Sequence, residues 1–243
     1  MNVEEVHLWR GSLEQQALRS QSVKTSQFAY FDKQLDRPDW KGKFVLDFGG
    51  NRGNLLQDPC CKIEPRNYYC VDVINDAIEE GQKRFPEAHW FHYDRYNCSF
   101  NPAGVADLPV PDLGREFDVI LAYSVFTHTT LEEMHDLVAQ LEQRLSSGGT
   151  LAFTFIDPYW NDNLKWRLNR LNLDAVLDRG ARWYAVVGGE LFVENNGHWA
   201  NEIDPCLSYH VFYTEDFMRE QFPGAIIRPP VNDEMQHCCI IRK

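Results

Sequence analysis

The chain has 243 residues, 44% of them hydrophobic and 25% charged, with a formal net charge of -12. That length supports one sizeable core with room for a cap or an insertion. The acidic balance argues against nucleic acid as a partner, and the absence of any apolar run of about 18 residues argues against a membrane span.

The opening segment MNVEEVHLWRGSLEQQ has no basic stretch followed by an apolar one, so no secretory signal is expected. Residues 12 to 36 have helical composition, and Phe28, Phe31 and Leu35 fall three or four apart, which predicts one or two helices before Pro38. The run Phe44-Val-Leu-Asp-Phe48 predicts a buried parallel strand stopped by Gly49 and Gly50. A second strand is expected at 68 to 73, followed by a helix from about Asn75 to Phe85 that Asp76 can cap. A weaker strand is expected at 88 to 93, then a proline- and glycine-rich loop over 97 to 116.

The strand DVILAY at 118 to 123 precedes the best-marked helix of the chain. Thr130 and Glu133 form a capping box, and Leu131, Met134, Leu137, Val138, Leu141 and Leu145 make one apolar stripe. Ser146-Ser-Gly-Gly149 ends that helix, and a strand is expected from 150 to 156. This alternation implies a doubly wound, mostly parallel sheet. It breaks down between Asp157 and Cys206, where a helical piece precedes a hairpin, Trp183 to Val193, turning at Gly188-Gly189. Beyond it, strands are expected near 207 to 213, 225 to 229 and 235 to 242, with a helix from Thr214 to Phe222. The seven cysteines form no C-x-x-C pair, which gives zinc and dithiol readings no support and fits reduced thiols in the cytoplasm.

The segment Val45-Leu-Asp-Phe-Gly-Gly-Asn-Arg-Gly-Asn54 carries the chemistry. A strand ends in a glycine turn that feeds a short helix, expected to be interrupted by Pro59, and in open α/β sheets ligands bind beyond the carboxyl ends of strands. A dinucleotide fingerprint needs glycine at three places that here hold Gly49, Asn51 and Asn54, and the Gly-Lys-Ser/Thr of a P-loop is absent. Asp47 followed by Gly49 and Gly53 instead suits a ligand with a positive sulfonium and no phosphate.

At these residues the chain resembles the class I S-adenosylmethionine-dependent methyltransferases. Asp47, Gly49, Asn51 and Gly53 stand where that family reads acid-x-Gly-x-Gly-x-Gly, with the middle glycine replaced by Asn51, a residue that tolerates left-handed geometry better than most. Tyr123-Ser-Val-Phe-Thr-His128, Leu145-Ser-Ser-Gly-Gly149 and Tyr213-Thr-Glu-Asp-Phe217 resemble later motifs. The resemblance implies a seven-stranded Rossmann-like sheet built from residues 37–156 and 207–243. A helical cap would precede it at 1–36, and an acceptor-pocket lid would be inserted at 157–206. It implies S-adenosylmethionine as cofactor, held by Asp47, Gly49, Gly50, Asn51, Gly53, Asn54, Asp72, Val73, Asp94, Arg95, Tyr123 and Ser124. Asp72 would take the ribose hydroxyls and Asp94 the adenine amino group.

The expected reaction is in-line methyl transfer to an N or O nucleophile of a small molecule. A hydroxyl acceptor needs a base, for which His128, His210, Tyr213 and Asp157 are the candidates. Phe28, Tyr30, Tyr159, Trp160 and Trp183 are candidate acceptor contacts, with packing as the alternative for Phe28 and Tyr30 and a local core or an oligomer interface for the aromatics of 157–206. No metal cluster is apparent. A peptide or protein substrate, or a non-catalytic binding subunit that keeps the fold, are the competing readings.

Overall fold

The computed structural model describes residues 27–97, 100–157, 183–187, 190–193, 209–231 and 235–243, with only the backbone course for 183–187, 190–193 and 209–210. The first helix, α1, is Gln27–Gln34. Strands β1 (Val45–Phe48) and β2 (Tyr68–Asp72) are buried along their whole length. Helix α2 (Asn75–Arg84) leads to β3 (His89–His92), and β4 is Phe117–Ala122. Helix α3 (Leu131–Gln143) leads to β5 (Leu145–Phe155). Strands β6 (Trp183–Val187), β7 (Glu190–Val193) and β8 (Tyr209–Tyr213) follow, then α4 (Glu215–Gln221), β9 (Ile226–Arg228) and β10 (His237–Arg242).

Seven strands form one sheet in the order β3-β2-β1-β4-β5-β10-β9. Strands β1 to β5 pair in parallel, and β10 is antiparallel to both of its neighbours. The inner strands read as apolar runs because helices or connecting segments cover both faces. At the sheet edge, β3 is only partly buried, which explains its two histidines. The chain lays down β1, β2 and β3 in one direction, then returns to place β4 on the other side of β1. That reversal leaves a crevice at the carboxyl ends of β1 and β4.

Helix α3 starts as its sequence specifies. Thr130 Oγ1 accepts from the Glu133 N–H at 3.1 Å, and Glu133 Oε2 accepts from the Thr130 N–H at 2.9 Å. Its Met134, Leu137, Val138 and Leu141 are buried against the sheet with Phe117, Phe153 and Phe155. On the other face, Phe28, Tyr30, Phe31 and Trp40 are almost fully buried with Val45 and Tyr68. Each such side chain contributes about 1.5–3 kcal/mol by leaving water. Asp32, inside α1, is offset by two donors, Trp40 Nε1 at 2.7 Å and Lys62 Nζ at 2.9 Å.

Four local expectations are corrected. Asp76 does not cap α2: it lies inside the first turn, Ile74 holds the cap position, and Asp72 Oδ1 accepts from the Ile74 N–H at 2.8 Å. The segment after the glycine turn forms successive turns up to Pro59 and no regular helix. Ser146–Gly149 is part of β5, with a register shift opposite β4 and Gly148 at φ 75°. Finally, β8 joins β6 and β7 in a separate three-stranded sheet instead of the main one. The edge of β5 is already taken by β10, from Phe155↔His237 to Thr150↔Arg242.

Candidate functional site

The crevice at the β1–β4 reversal is a cavity of about 270 Å³. The turn after β1, the ends of β2 and β4, the loop after β3 and the first turns of α3 line it. Of the expected cofactor residues, Gly49, Asn51, Asn54, Asp72, Val73, Arg95, Tyr123 and Ser124 border it. Gly49 has φ 77° and Asn51 φ 53°, so asparagine does take the left-handed geometry expected of it. A Cβ on Gly49 would stand 2.4 Å from Val125 Cγ2, so only glycine lets this turn close on the exit of β4.

Asp47, Gly50, Gly53 and Asp94 are not among the lining residues. Strand alternation explains Asp47: Leu46 and Phe48 belong to one face of the sheet, and Asp47 shares the other with Val45. There it is 2% exposed and accepts from Tyr68 Oη at 2.5 Å, and burial pushes its carboxyl up to about 7. Gly50 and Gly53 are packing positions, where a Cβ would fall 2.5 Å from the Asp47 carboxyl and 2.8 Å from the Trp90 ring. Asp94 is exposed, and its Oδ1 accepts from Asn101 Nδ2 at 3.0 Å.

Asp72 is 6% exposed and holds the crevice together. Its two oxygens accept from the Asn51 N–H at 2.7 Å and the Ile74 N–H at 2.8 Å. Burial raises its carboxyl, while the Ile74, Asn51 and Val73 N–H groups pull it back. Each oxygen keeps a second lone pair for a ligand. At the exit of β4, Ser124 has φ 59°, and its N–H donates to Thr154 Oγ1 at 2.7 Å. Tyr123 is held edge-on by the rings of Tyr30 at 5.5 Å and Phe31 at 6.0 Å, which sets α1 and its first residue, Gln27, beside the crevice.

Among the proton-acceptor candidates, His128 lines the crevice, with its ring edge-on to Phe100 at 5.0 Å. Tyr213 and Asp157 are not lining residues. Burial, with Glu132 and Glu133 nearby, drives the Tyr213 phenol far up, and Asp157 Oδ2 accepts from the Glu215 N–H at 2.9 Å at the start of α4. His210 lies in β8, and its side chain is outside the described residues. Phe28 and Tyr30 do not line the crevice: Phe28 packs on Trp40 at 5.1 Å, and Tyr30 Oη donates to the Gln236 carbonyl at 2.9 Å. Tyr159 and Trp160 lie outside the described residues, as does the Trp183 side chain. Sequence reading missed Gln27, Tyr96, Asn97, Phe100, Thr129 and Glu133 as lining residues. The capping box was the one available signal, since it fixed where α3 begins.

The donor set discriminates among ligands. The N–H groups of Gly49, Asn51, Gly53 and Asn54 already donate to Val71 O, Asp72 Oδ2 and, for the last two, Gly50 O. A phosphate needs such donors free, and it would meet the Asp72 carboxylate. Asn54 Oδ1, by contrast, is buried without a partner among the described residues, and it borders the crevice. Spare acceptors suit hydroxyl and ammonium donors, and a ribose joined to a sulfonium amino acid supplies both. The residues therefore fit S-adenosylmethionine and do not fit a pyrophosphate. Among the described residues no group of three or more His, Cys, Asp or Glu could hold a metal, and no helix is long and apolar enough to cross a membrane.

No curated protein matches the chain. Its fold is similar to an S-adenosylmethionine-dependent methyltransferase from Clostridium acetobutylicum, at 15% identity over 98% of this chain and 97% of that one, with a TM-score of 0.54. It is also similar to CalS10, an amino pentose methyltransferase from Micromonospora echinaspora, at 14% identity over 96% and 98% of the two chains, with a TM-score of 0.56. A third similarity is to the glycopeptide N-methyltransferase MtfA, at 13% identity over 89% and 88%, with a TM-score of 0.52. The family model described as a methyltransferase domain matches residues 46–151, the stretch that runs from β1 into β5 and supplies almost every lining residue. Residues 46–151 thus match a methyltransferase domain, and the sheet around them has the fold of the S-adenosylmethionine-dependent methyltransferases it is similar to.

Proposed function

We propose that this chain transfers a methyl group from S-adenosylmethionine to a small molecule, with an amine nitrogen as the favoured acceptor and a hydroxyl oxygen as the other. The observation that carries the reading is the crevice itself, where Asp72 and Asn54 offer acceptors and the N–H groups of Gly49, Asn51, Gly53 and Asn54 are already engaged. The cofactor supplies an electrophilic methyl on a positive sulfur. The chain's own task is alignment and exclusion of water. Asp72 grips the sugar, Asn54 Oδ1 accepts from the amino group, and Ser124 and Tyr123 border the reacting end at β4.

That end is bordered by Gln27, Ser124 and Tyr123, while the crevice carboxylates, Asp72 and Glu133, accept from the N–H groups of Asn51, Ile74 and Thr130. Such a lining suits an amine delivered neutral, which needs no strong base. A hydroxyl acceptor would need a base, and the crevice histidine, His128, packs instead on Phe100 of the loop after β3. The glycopeptide N-methyltransferase and, by its amine-bearing sugar, the amino pentose methyltransferase among the similar folds support an amine acceptor. The segment 157–206, inserted beyond the carboxyl end of β5, is the proposed lid over the acceptor.

The test is a panel of small amines and matched alcohols incubated with the protein and S-adenosylmethionine. Mass spectrometry would follow S-adenosylhomocysteine and the methylated product. Turnover is expected on amines, with the new methyl on nitrogen. Turnover confined to alcohols would reject the amine reading, and no S-adenosylhomocysteine with any acceptor would reject methyl transfer to such molecules.

A further inference from the structure

The base end of the crevice is built differently from what the family resemblance implies. The Asp94 carboxylate is engaged by Asn101 Nδ2 and lies outside the lining. The backbone donors beside it are also taken: Arg95 N–H by Tyr93 O at 2.7 Å, Tyr96 N–H by Val105 O at 2.9 Å, and Asn97 N–H by Asn101 O at 3.1 Å. The backbone N–H groups of this stretch are therefore engaged, and its carboxylate lies outside the crevice.

Across from it, Thr129 lines the crevice and is 5% exposed, and its Oγ1 is buried without a partner among the described residues. Asn97 Nδ2 donates to the carbonyl of the preceding residue, His128, at 2.9 Å, which ties this turn to the loop after β3. The crevice therefore runs from the glycine turn at β1, past Asp72 at the end of β2, to Thr129 and Arg95 beside the exit of β3. A nucleoside whose sugar sits on Asp72 and whose amino acid sits at the glycine turn must point its base toward Thr129. A buried hydroxyl is costly without a partner, and it can accept from an exocyclic amine.

We propose that Thr129, and not Asp94, is the side chain that reads the 6-amino edge of the cofactor's adenine. This rests on the methyl-transfer reading, because it needs the adenosyl group in the crevice.

The test is a two-by-two calorimetric titration. Wild type and Thr129→Val are each titrated with S-adenosylhomocysteine and with its analogue lacking the 6-amino group. Removing the amino group is expected to weaken binding to wild type about tenfold and to change binding to Thr129→Val little, because one contact is being removed twice. Thr129→Ser, which keeps the hydroxyl, should restore the wild-type pattern and guards against a folding defect in the valine variant. Losses that multiply independently, or undiminished binding by Thr129→Val, overturn the assignment alone. If wild type binds no S-adenosylhomocysteine, the methyl-transfer reading falls and this assignment falls with it.

Discussion

Replacing Asp47 by asparagine should remove a large contribution to the fall in this protein's stability between about pH 4 and pH 7. The Asp47 carboxyl is buried under the glycine turn, and burial raises it to about 7, against roughly 3.9 in an unfolded chain. Below about pH 4 both states hold the proton, and the group contributes nothing to the pH dependence. Between about 4 and 7 the native state keeps a proton that the unfolded state releases, so stability falls as pH rises. Above about 7 the loss is complete, and a shift of about three units corresponds to about 4 kcal/mol. The asparagine amide has no proton to lose in this range, and its carbonyl can still accept from Tyr68 Oη. Urea unfolding of wild type and Asp47→Asn at pH 5 and pH 8 reads the effect. Wild type should lose stability across that interval and the variant should lose far less, with a residue of the same sign from Asp72, whose carboxyl is also raised. Parallel losses in the two proteins would show that Asp47 titrates normally.

Asp72→Ala should damage both folding and cofactor binding. The substitution strands the Asn51 and Ile74 N–H groups, which now donate at 2.7 and 2.8 Å. These donors are only partly buried and water in the crevice can reach them, so a loss of about 1–3 kcal/mol in unfolding free energy is expected. Losing the acceptor for the sugar hydroxyls should weaken S-adenosylhomocysteine by a further 1–3 kcal/mol or so, roughly 5- to 150-fold. Asp72→Asn keeps the shape but presents one amide nitrogen where an oxygen stood, so an intermediate stability is expected. Denaturant unfolding and calorimetric titration together separate the two effects. An alanine variant that is as stable as wild type and binds as tightly would remove Asp72 from both roles.

How far the sequence could be read depended on whether a feature was periodic or local. The buried runs of β1, β2, β4 and β5 and the capping box at Thr130 and Glu133 depend on neighbours within a few residues, and the structure shows them where the sequence places them. The left-handed Asn51 was equally local. Asp47 was legible in principle, because period-two alternation sends it to the face opposite Phe48, and only Phe48 lines the crevice. Asp94 was not, since its exposure depends on Asn101 returning across a loop that has no period. Nor was Thr129: a lone threonine before a helix carries no signal until the loop after β3 is placed against it. The pairing of β8 depended on which strand claimed the edge of β5, a competition between distant segments that local pattern cannot decide.

The most direct measurement is a crystal structure grown with S-adenosylhomocysteine. The ligand is expected in the crevice at the β1–β4 reversal, its ribose hydroxyls on the Asp72 carboxylate and its amino acid end between Gly49 and Ser124. A crevice that stays empty at saturating ligand would contradict this placement, as would a pyrophosphate bound against the glycine turn.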